Sequence, residues 1–195
     1  MTANAEHYYR TIVLNDTESW NIRDRHMVEV INKIDQFYEN KAKGIIWEHN
    51  THVGDARATD MADEGMVNVG QILGEQQGQD QLFIIGFGTH RGTVIAADQW
   101  GVDFKQMITP PAQTGSWKDL LYNSGPHDKF LIFNDENKHI FNHVIGHRAI
   151  GVVYNPKHEQ YGNYVPSVIS QRYDAFIYIN HSNALKPIQM EKVFL

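Results

Sequence analysis

The chain has 195 residues, of which 42% are hydrophobic and 21% are charged, and this composition is typical of a soluble globular protein. Its net charge of −6 gives no basic surface for nucleic acid and no polybasic patch for a membrane. The absence of cysteine excludes disulfides, cysteine-ligated zinc and thiol nucleophiles. We therefore expect a single domain over residues 1–195, located in the cytoplasm, with no nucleic-acid partner and no membrane span.

The first predicted element is a helix that starts near Trp20, with Asp16 or Ser19 as its cap. Apolar side chains recur along it at helical spacing and predict a stripe that faces the core: Met27, Val28, Ile31, Ile34 and Tyr38. The helix should end before Gly44. The apolar residues 44–47 that follow predict a short buried strand.

A second helix is predicted within residues 60–73, and Gly78 should end it. Residues 82–87 are continuously apolar, as is typical of a strand that is covered on both faces. A strand, a helix and a strand in this order predict a right-handed parallel crossover.

The second half of the chain has shorter predicted elements, separated by segments rich in Gly, Asn, His and Pro. Residues 116–121 predict a short capped helix, and Pro110-Pro111 should break the chain before it. Four further segments predict strands: residues 93–97, 130–133, 148–154 and 175–179. These elements favour one α/β unit with a loop-rich C-terminal half.

Residues 47–57 (WEHNTHVGDAR) carry the densest group of polar side chains. A neutral imidazole of His49 or His52 can accept a proton near pH 7, and Glu48 or Asp55 beside it can fix its tautomer. In the alternative interpretation, His49 caps the end of the strand and His52 is solvated. The H-x-x-H spacing by itself does not decide between the two.

Two other segments are candidates for chemistry. Arg23-Asp24 is either an exposed pair on the first helix or an arginine directed at a carboxylate or oxyanion. Residues 86–92 (GFGTHRG) have glycines that let a backbone approach a ligand closely, but they do not form a dinucleotide fingerprint. No G-x-S-x-G nucleophile elbow occurs.

A zinc site built on His49 and His52 would need further ligands from distant residues, so we expect no metal.

Five segments resemble signatures of the erythromycin esterase family, in order: residues 19–27, 47–57, 86–94, 148–154 and 162–166. The likeness runs from about residue 4 to about residue 187. It implies an α/β fold with a mainly parallel sheet flanked by helices. It also implies hydrolysis of a small-molecule ester without metal or cofactor, in which a histidine activates water. In the best-known members this ester is the lactone of a macrolide antibiotic, which the reaction inactivates.

The resemblance places the paired histidines of the W-x-H-N-x-H motif in the active-site cleft. It also assigns the R-D pair of the helix motif to Arg23 and Asp24. We therefore predict three catalytic residues: His49, His52 and Arg23. The predicted substrate-binding residues are Glu48, Asn50, Asp24, Asp55, Arg57, His90 and Arg91.

The chain departs from the family in one respect. Family members are about twice as long, and their N-terminal half carries a Gly-Glu-x-x-His motif that supplies the histidine taken as general base. Gly74-Glu75 is the one Gly-Glu here, and Gln76-Gln77-Gly78 follows it. The chain therefore resembles the C-terminal half of the fold.

Two interpretations follow from this departure, and both remain open. The first is a hydrolase. The second is a non-catalytic or split half-domain, completed by a partner that supplies the N-terminal half or by self-association. Half of a parallel sheet exposes an edge strand and an apolar face, which we expect near Met27, Ile31 and residues 82–87.

Overall fold

The computed structural model describes Tyr9, residues 17–39 and residues 41–186. The α-helices within these residues are α1 (Thr17–Phe37), α2 (Asn50–Val53), α3 (Val69–Gln77), α4 (Trp117–Asn123) and α5 (Ile169–Arg172). The strands are β1 (Ile85–Ala96), β2 (Lys105–Thr109), β3 (Lys129–Ile132), β4 (Val144–Arg148), β5 (Tyr164–Val168) and β6 (Ala175–Ser182). None of the described helices combines the length and the apolar character that a membrane span requires.

Helix α1 confirms the first predicted element. It begins at Thr17, so Ser19 lies in its first turn instead of capping it, and Asp16 lies outside the described residues. Val28 is buried and packs with three residues of α3, namely Val69, Ile72 and Leu73, while Met27 and Ile31 flank this cluster. The end of the predicted stripe is exposed at Ile34 and Tyr38.

The predicted buried strand over residues 44–47 is wrong. Residues 41–49 have no regular secondary structure, and Ile45 and Trp47 are 93% and 82% exposed. A short apolar run does not itself distinguish a buried strand from an exposed loop, because four residues are too few to show a period. Without this strand, the predicted parallel crossover into residues 82–87 does not exist.

Helix α3 confirms the second predicted helix, with a later start. Asn68 caps it by accepting a hydrogen bond from the Gln71 backbone N–H at 3.0 Å. Gly78 ends it with a φ of 95°, a left-handed conformation that favours glycine. Residues 60–62, where the acidic start of this helix was predicted, form a turn of 3₁₀-helix.

Strand β1 joins three segments that the sequence separates: the second half of the apolar run 82–87, the glycine-rich residues 86–92 and most of the predicted strand 93–97. The glycines lie inside the strand because neighbouring side chains pack directly on its backbone. A Cβ atom at Gly88 would lie 2.5 Å from Lys118 Cε, and one at Gly86 would lie 2.8 Å from the Tyr173 ring. Packing therefore accounts for these glycines.

The main sheet has the strand order β2-β1-β6-β3. The pair β1 and β6 is parallel, whereas β1 with β2 and β3 with β6 are antiparallel. Strands β4 and β5 form a separate antiparallel pair. The sheet is therefore mixed, and the prediction of a mainly parallel sheet is not confirmed for the described residues.

The remaining predictions from the second half are mostly confirmed. Helix α4 is capped by Ser116, and β3 and β6 match their predicted strands. Strand β2 ends at Thr109, directly before Pro110. The strand predicted over residues 148–154 is wrong, because β4 ends at Arg148.

Helices pack on one face of the main sheet, whereas the other face is largely exposed. One face packs against α4 and α5 through the largest buried cluster: Trp117, Leu121, Ile169, Tyr173, Phe176 and Tyr178. On the other face, Phe87, Ile177 and Phe130 form a row across β1, β6 and β3. Phe130 is 58% exposed, and Ile108 on β2 is 70% exposed. Phe87 on this face lies within residues 82–87, where the sequence predicted an exposed apolar surface, whereas Met27 and Ile31 pack beside the buried cluster of α1 and α3.

We predict that Gly70→Ala destabilises the fold by about 3 kcal/mol, since over-packing costs this much where the backbone cannot yield. The added Cβ would lie 1.8 Å from the Val53 carbonyl oxygen at the end of α2. Urea unfolding followed by circular dichroism measures the change. Gly44→Ala is the matched control, because no atom lies within 4 Å of its Cβ. Equal midpoints for the two variants would contradict the prediction.

Candidate active site

Helix α1 presents Trp20, Arg23 and Asp24 on one side, because residues three and four positions apart are neighbours on a helix surface. The Trp20 indole N–H donates to the Val67 carbonyl at 2.9 Å, which fixes this side of α1 to the segment before α3. Asp24 is fully buried, although it is charged. The sequence interpretation of Arg23-Asp24 as an exposed pair therefore fails for Asp24.

The short helix α2 holds the histidine motif in place. Asn68 donates to the Thr51 carbonyl at 3.0 Å and also to the Gly54 carbonyl. The Asn50 amide bonds to both backbone groups of Phe87, donating to the oxygen at 2.5 Å and accepting from the N–H at 3.0 Å. The side chain of Asn50, predicted to bind substrate, ties α2 to β1 in the fold.

His52 forms a tight pair with Asp24. Its Nδ1 lies 2.9 and 3.0 Å from the two carboxylate oxygens, so Nδ1 carries the proton and donates it. In the neutral ring, Nε2 then keeps its lone pair, and Arg23 Nη2 approaches it at 3.4 Å. The Trp20 ring stacks on the imidazole with 4.6 Å between centroids and an angle of 6° between the planes. The interpretation of His52 as a solvated side chain is wrong, because the side chain is 17% exposed.

His49 has both ring nitrogens engaged within the protein. Its Nε2 lies 3.0 Å from the Ile150 carbonyl, which only accepts, so Nε2 carries the proton. Its Nδ1 then accepts from the Thr51 N–H at 3.3 Å and lies 2.9 Å from Thr51 Oγ1. His49 thereby caps α2, in agreement with the capping interpretation, although at a helix. Burial is the main cause that lowers the pKa of His49.

Glu48 lies close enough to His52, Asp24 and Arg23 to interact with their charges. Its Oε2 is buried and has no hydrogen-bond partner among the described residues. Burial raises the pKa of the Glu48 carboxyl, and the charges of His52 and Arg23 oppose that rise. The carboxylate that fixes the histidine tautomer is Asp24, however, and not the predicted Glu48 or Asp55.

Asp55 and Arg57 bond to each other. The carboxylate of Asp55 accepts from Arg57 Nη2 at 2.6 Å and from the Arg57 backbone N–H at 2.9 Å, which caps the 3₁₀ turn Ala56–Ala58. Arg57 also reaches Glu75 at 3.4 Å. In the described structure, both residues therefore support the local fold next to the histidine motif.

His90 and Arg91 point to opposite faces of β1. His90 is buried and stacks on the Tyr122 ring at 4.1 Å, and burial is the main cause that lowers its pKa. Arg91 is exposed. Among the described residues, no hydrogen bond or ring contact joins either side chain to the pair of Asp24 and His52.

The predicted residues that the fold brings together are thus Arg23, Asp24 and His52, with Glu48 nearby. A histidine can take a proton from water or an alcohol when a carboxylate holds the N–H at Nδ1 and Nε2 keeps its lone pair. A guanidinium beside Nε2 suits an oxyanion that develops there. Within the described residues, no three His, Asp or Glu side chains converge as a metal centre requires.

Trp20 is the residue of this site to which the sequence analysis assigned no role. It stacks on His52, and Arg23 Cζ lies 4.6 Å from the centre of its ring. The sequence spacing does indicate that Trp20 lies near Arg23 and Asp24, since positions 20, 23 and 24 share one side of a helix. The partner across that side, α2, is 28 residues further along the chain, and local spacing does not reveal it.

Comparison with known proteins agrees with this fold. Residues 1–182 match the family model described as erythromycin esterase. A relative from Bacillus subtilis (strain 168), named "Putative hydrolase YbfO", is 25% identical over 169 residues, which cover 84% of this chain and 35% of that protein.

Three crystal structures share the fold. The first is a Bacillus cereus protein, with a TM-score of 0.69 at 17% identity over 86% of this chain and 40% of that one. The second, a succinoglycan biosynthesis protein, gives 0.68 at 15% identity over 85% and 39% of the chains. The third, a histidine-to-asparagine mutant of the erythromycin esterase EreC in its open conformation, gives 0.60 at 15% identity over 90% and 41%.

The chain spans between a third and about two fifths of the length of these proteins. The family match nevertheless extends over nearly the whole chain and confirms the resemblance seen in the five motifs. The chain belongs to the erythromycin esterase family.

Proposed function

We propose that this chain carries the active site of an ester hydrolase in which His52 activates water and Asp24 orients His52. The observation that carries the proposal is the contact of His52 Nδ1 with both oxygens of the buried Asp24, at 2.9 and 3.0 Å. Membership of the erythromycin esterase family and the hydrolase name of YbfO support the reaction class.

The proposed reaction uses the lone pair of His52. A water oxygen attacks the ester carbonyl carbon while its proton passes to Nε2, and Arg23 stabilises the oxyanion. The intermediate then expels the alcohol, which takes the proton back from Nε2, and the products are an acid and an alcohol. Arg23 Nη2 lies 3.4 Å from Nε2, so the guanidinium has to shift for a water molecule to reach the lone pair.

For the substrate, we propose a macrolide lactone, whose opening would inactivate the antibiotic, and a cytoplasmic site of action. The family description and the name of EreC support this choice. The exposed Trp47 ring lies 5.7 Å from the Phe87 ring and offers an aromatic surface two residues before His49 in the chain. An ester with a large apolar part fits that surface.

The experiment compares three His→Gln variants on erythromycin and on simple esters, with product formation followed by mass spectrometry. We expect His52→Gln to lower kcat by a factor of at least about 100, since a general base contributes this much. His49→Gln should reduce stability but keep most of kcat, because its nitrogens bond within the protein. His26→Gln, an exposed position on α1, is the matched control. Equal rates for all three variants, or no turnover by the unaltered chain, would contradict autonomous catalysis.

The uncovered sheet face favours a second candidate function, a half-domain that a separate polypeptide completes. Phe87, Ile177 and Phe130 form an apolar row on this face, and relatives of the chain are more than twice as long. Parallel strands are normally covered on both faces. In this proposal the partner supplies the general-base motif that the chain lacks and packs on the uncovered sheet face.

Replacement of one apolar side chain tests this alternative. We expect the isolated chain to self-associate and to bind a hydrophobic dye, and Phe130→Asp to reduce both, as measured by light scattering and fluorescence. Phe104→Asp is the control, since Phe104 is similarly exposed but precedes β2. If the isolated chain is monomeric, binds no dye and unfolds cooperatively, this alternative is wrong. A neighbouring reading frame that encodes a Gly-Glu-x-x-His half would support it.

A further inference from the structure

Four polar side chains from α4, β4 and the end of α5 meet beneath the main sheet: Lys118, His147, Arg172 and Tyr173. The first three are fully buried and Tyr173 is nearly so. Lys118 Nζ lies 5.6 Å from the Phe176 ring centre, and the His147 ring lies 5.4 Å from the same ring. Arg172 Cζ and the His147 ring lie 5.4 and 5.7 Å from the Tyr173 ring. We call these four residues the buried basic cluster.

The hydrogen-bonding capacity of the buried basic cluster is largely unused. Both ring nitrogens of His147, Arg172 Nε and the Tyr173 hydroxyl have no partner among the described residues. Lys118 Nζ donates to the Arg148 carbonyl at 3.1 Å, and Arg172 donates to Ser167 Oγ at 2.8 Å. Buried polar groups are rarely unpaired in folded proteins, and a group of them at one place calls for a bound water, ion or ligand.

The cluster also contains no acid. Within the described part of the chain, no carboxylate forms an ion pair or hydrogen bond with Lys118, His147 or Arg172. The same protein pairs its other buried arginine fully, because Arg148 bonds to Glu159 at 2.7 Å. Burial and the neighbouring positive charges lower the pKa of Lys118 and of His147 well below their usual values. The guanidinium of Arg172 is a buried cation without a counter-charge among the described residues, which is unfavourable, so a bound anion would stabilise this arrangement.

We infer that the buried basic cluster is a binding site for a small carboxylate. Its free groups are an amine, a guanidinium N–H, an imidazole and a phenol, each of which can donate, and the guanidinium has no counter-charge, so the cluster favours an anion. The planar guanidinium of Arg172 matches the two oxygens of a carboxylate.

The packing around the cluster limits the size of the ligand. A Cβ at Gly54 would lie 2.8 Å from Arg172 Nε, and one at Gly88 would lie 2.5 Å from Lys118 Cε. Two glycines therefore let the backbone pack closely against these side chains, so a ligand of the cluster can have only a few atoms, as acetate and formate do.

The site adjoins the histidine motif, since Lys118 and Arg172 are near enough to His49 for their charges to oppose its protonation. Arg172 also reaches the Asn50 carbonyl at 3.4 Å. The inference does not depend on hydrolysis, because binding at the buried basic cluster can be measured without any reaction.

The test is thermal unfolding of the full chain in sodium acetate, with sodium chloride at equal ionic strength as reference. At a hundredfold excess over Kd, we expect acetate to raise the Tm by about 5–10 °C. Lys118→Met should remove most of this rise, while Lys157→Met, the same change at an exposed lysine, should retain it. Each variant is compared with itself in chloride, so a change in its basal stability does not affect the result.

A second measurement places the ligand. The ring signals of His147, followed by NMR, should shift saturably with acetate at the same Kd, and those of the exposed His139 should not. An equal acetate effect in Lys118→Met and the unaltered chain would overturn the inference. So would a rise that phosphate produces and acetate does not, or no saturable change at His147.

Discussion

Asp24→Asn is expected to lower kcat for ester hydrolysis by about 10³–10⁴-fold, the largest effect that we predict for a single atom exchange. Asp24 accepts the His52 Nδ1 proton with both oxygens at 2.9 and 3.0 Å. An asparagine amide turned toward His52 would donate instead. The ring would then move its proton to Nε2, and the lone pair that takes a proton from water would be lost.

The tautomer and the rate should therefore change together. Nitrogen NMR of His52 should show the proton on Nδ1 in the unaltered chain and on Nε2 in Asp24→Asn. Asp63→Asn, the same exchange at an exposed position, should change neither quantity. A full rate in Asp24→Asn despite a changed tautomer would exclude His52 as the general base and would favour a base from a partner chain.

Acidification is expected to destabilise the fold below about pH 6.5, with His147 as a main cause. Burial, Lys118 and Arg172 lower the pKa of His147 well below its usual value of 6.5. Between these two pKa values the unfolded chain binds a proton at this histidine and the folded chain does not. The free energy of unfolding therefore falls as the pH falls, by about 1.4 kcal/mol per pH unit for this one group.

His147→Phe should reduce that dependence. Phenylalanine binds no proton in the folded or the unfolded chain, so the slope between pH 6.5 and the folded pKa should decrease by about one proton equivalent. The lowered pKa of His49 and of His90 leaves a residual slope of the same sign. Urea titrations at several pH values measure the pH dependence of the free energy of unfolding. His139→Phe, at an exposed position, is the control. An unchanged slope in His147→Phe would show that other groups cause the acid sensitivity.

The unequal roles of His49 and His52 refine what the motif indicates. Both histidines belong to the W-x-H-N-x-H segment and are indistinguishable by spacing. In the fold, His49 caps α2 and bonds to Ile150, whereas His52 faces α1. The contribution of each to a reaction remains a prediction, and the pair of His→Gln variants separates them.

The elements whose signals are local could be predicted from the residues alone. The stripe at Met27, Val28 and Ile31 defined α1, Ser116 defined the start of α4, and Gly78 defined the end of α3. Periodicity, capping and left-handed glycines act within a few residues, so a single chain records them. The family motifs also singled out Arg23, Asp24 and His52 before their contacts were known.

The tertiary structure alone decided which of these residues meet. It left residues 41–49 exposed, merged three segments into β1, and gave His52 the carboxylate of Asp24, 28 positions earlier in the chain. It also assembled the buried basic cluster from α4, β4 and α5, which no sequence pattern indicated. Contacts between distant segments depend on how whole elements pack, and local spacing does not contain that information.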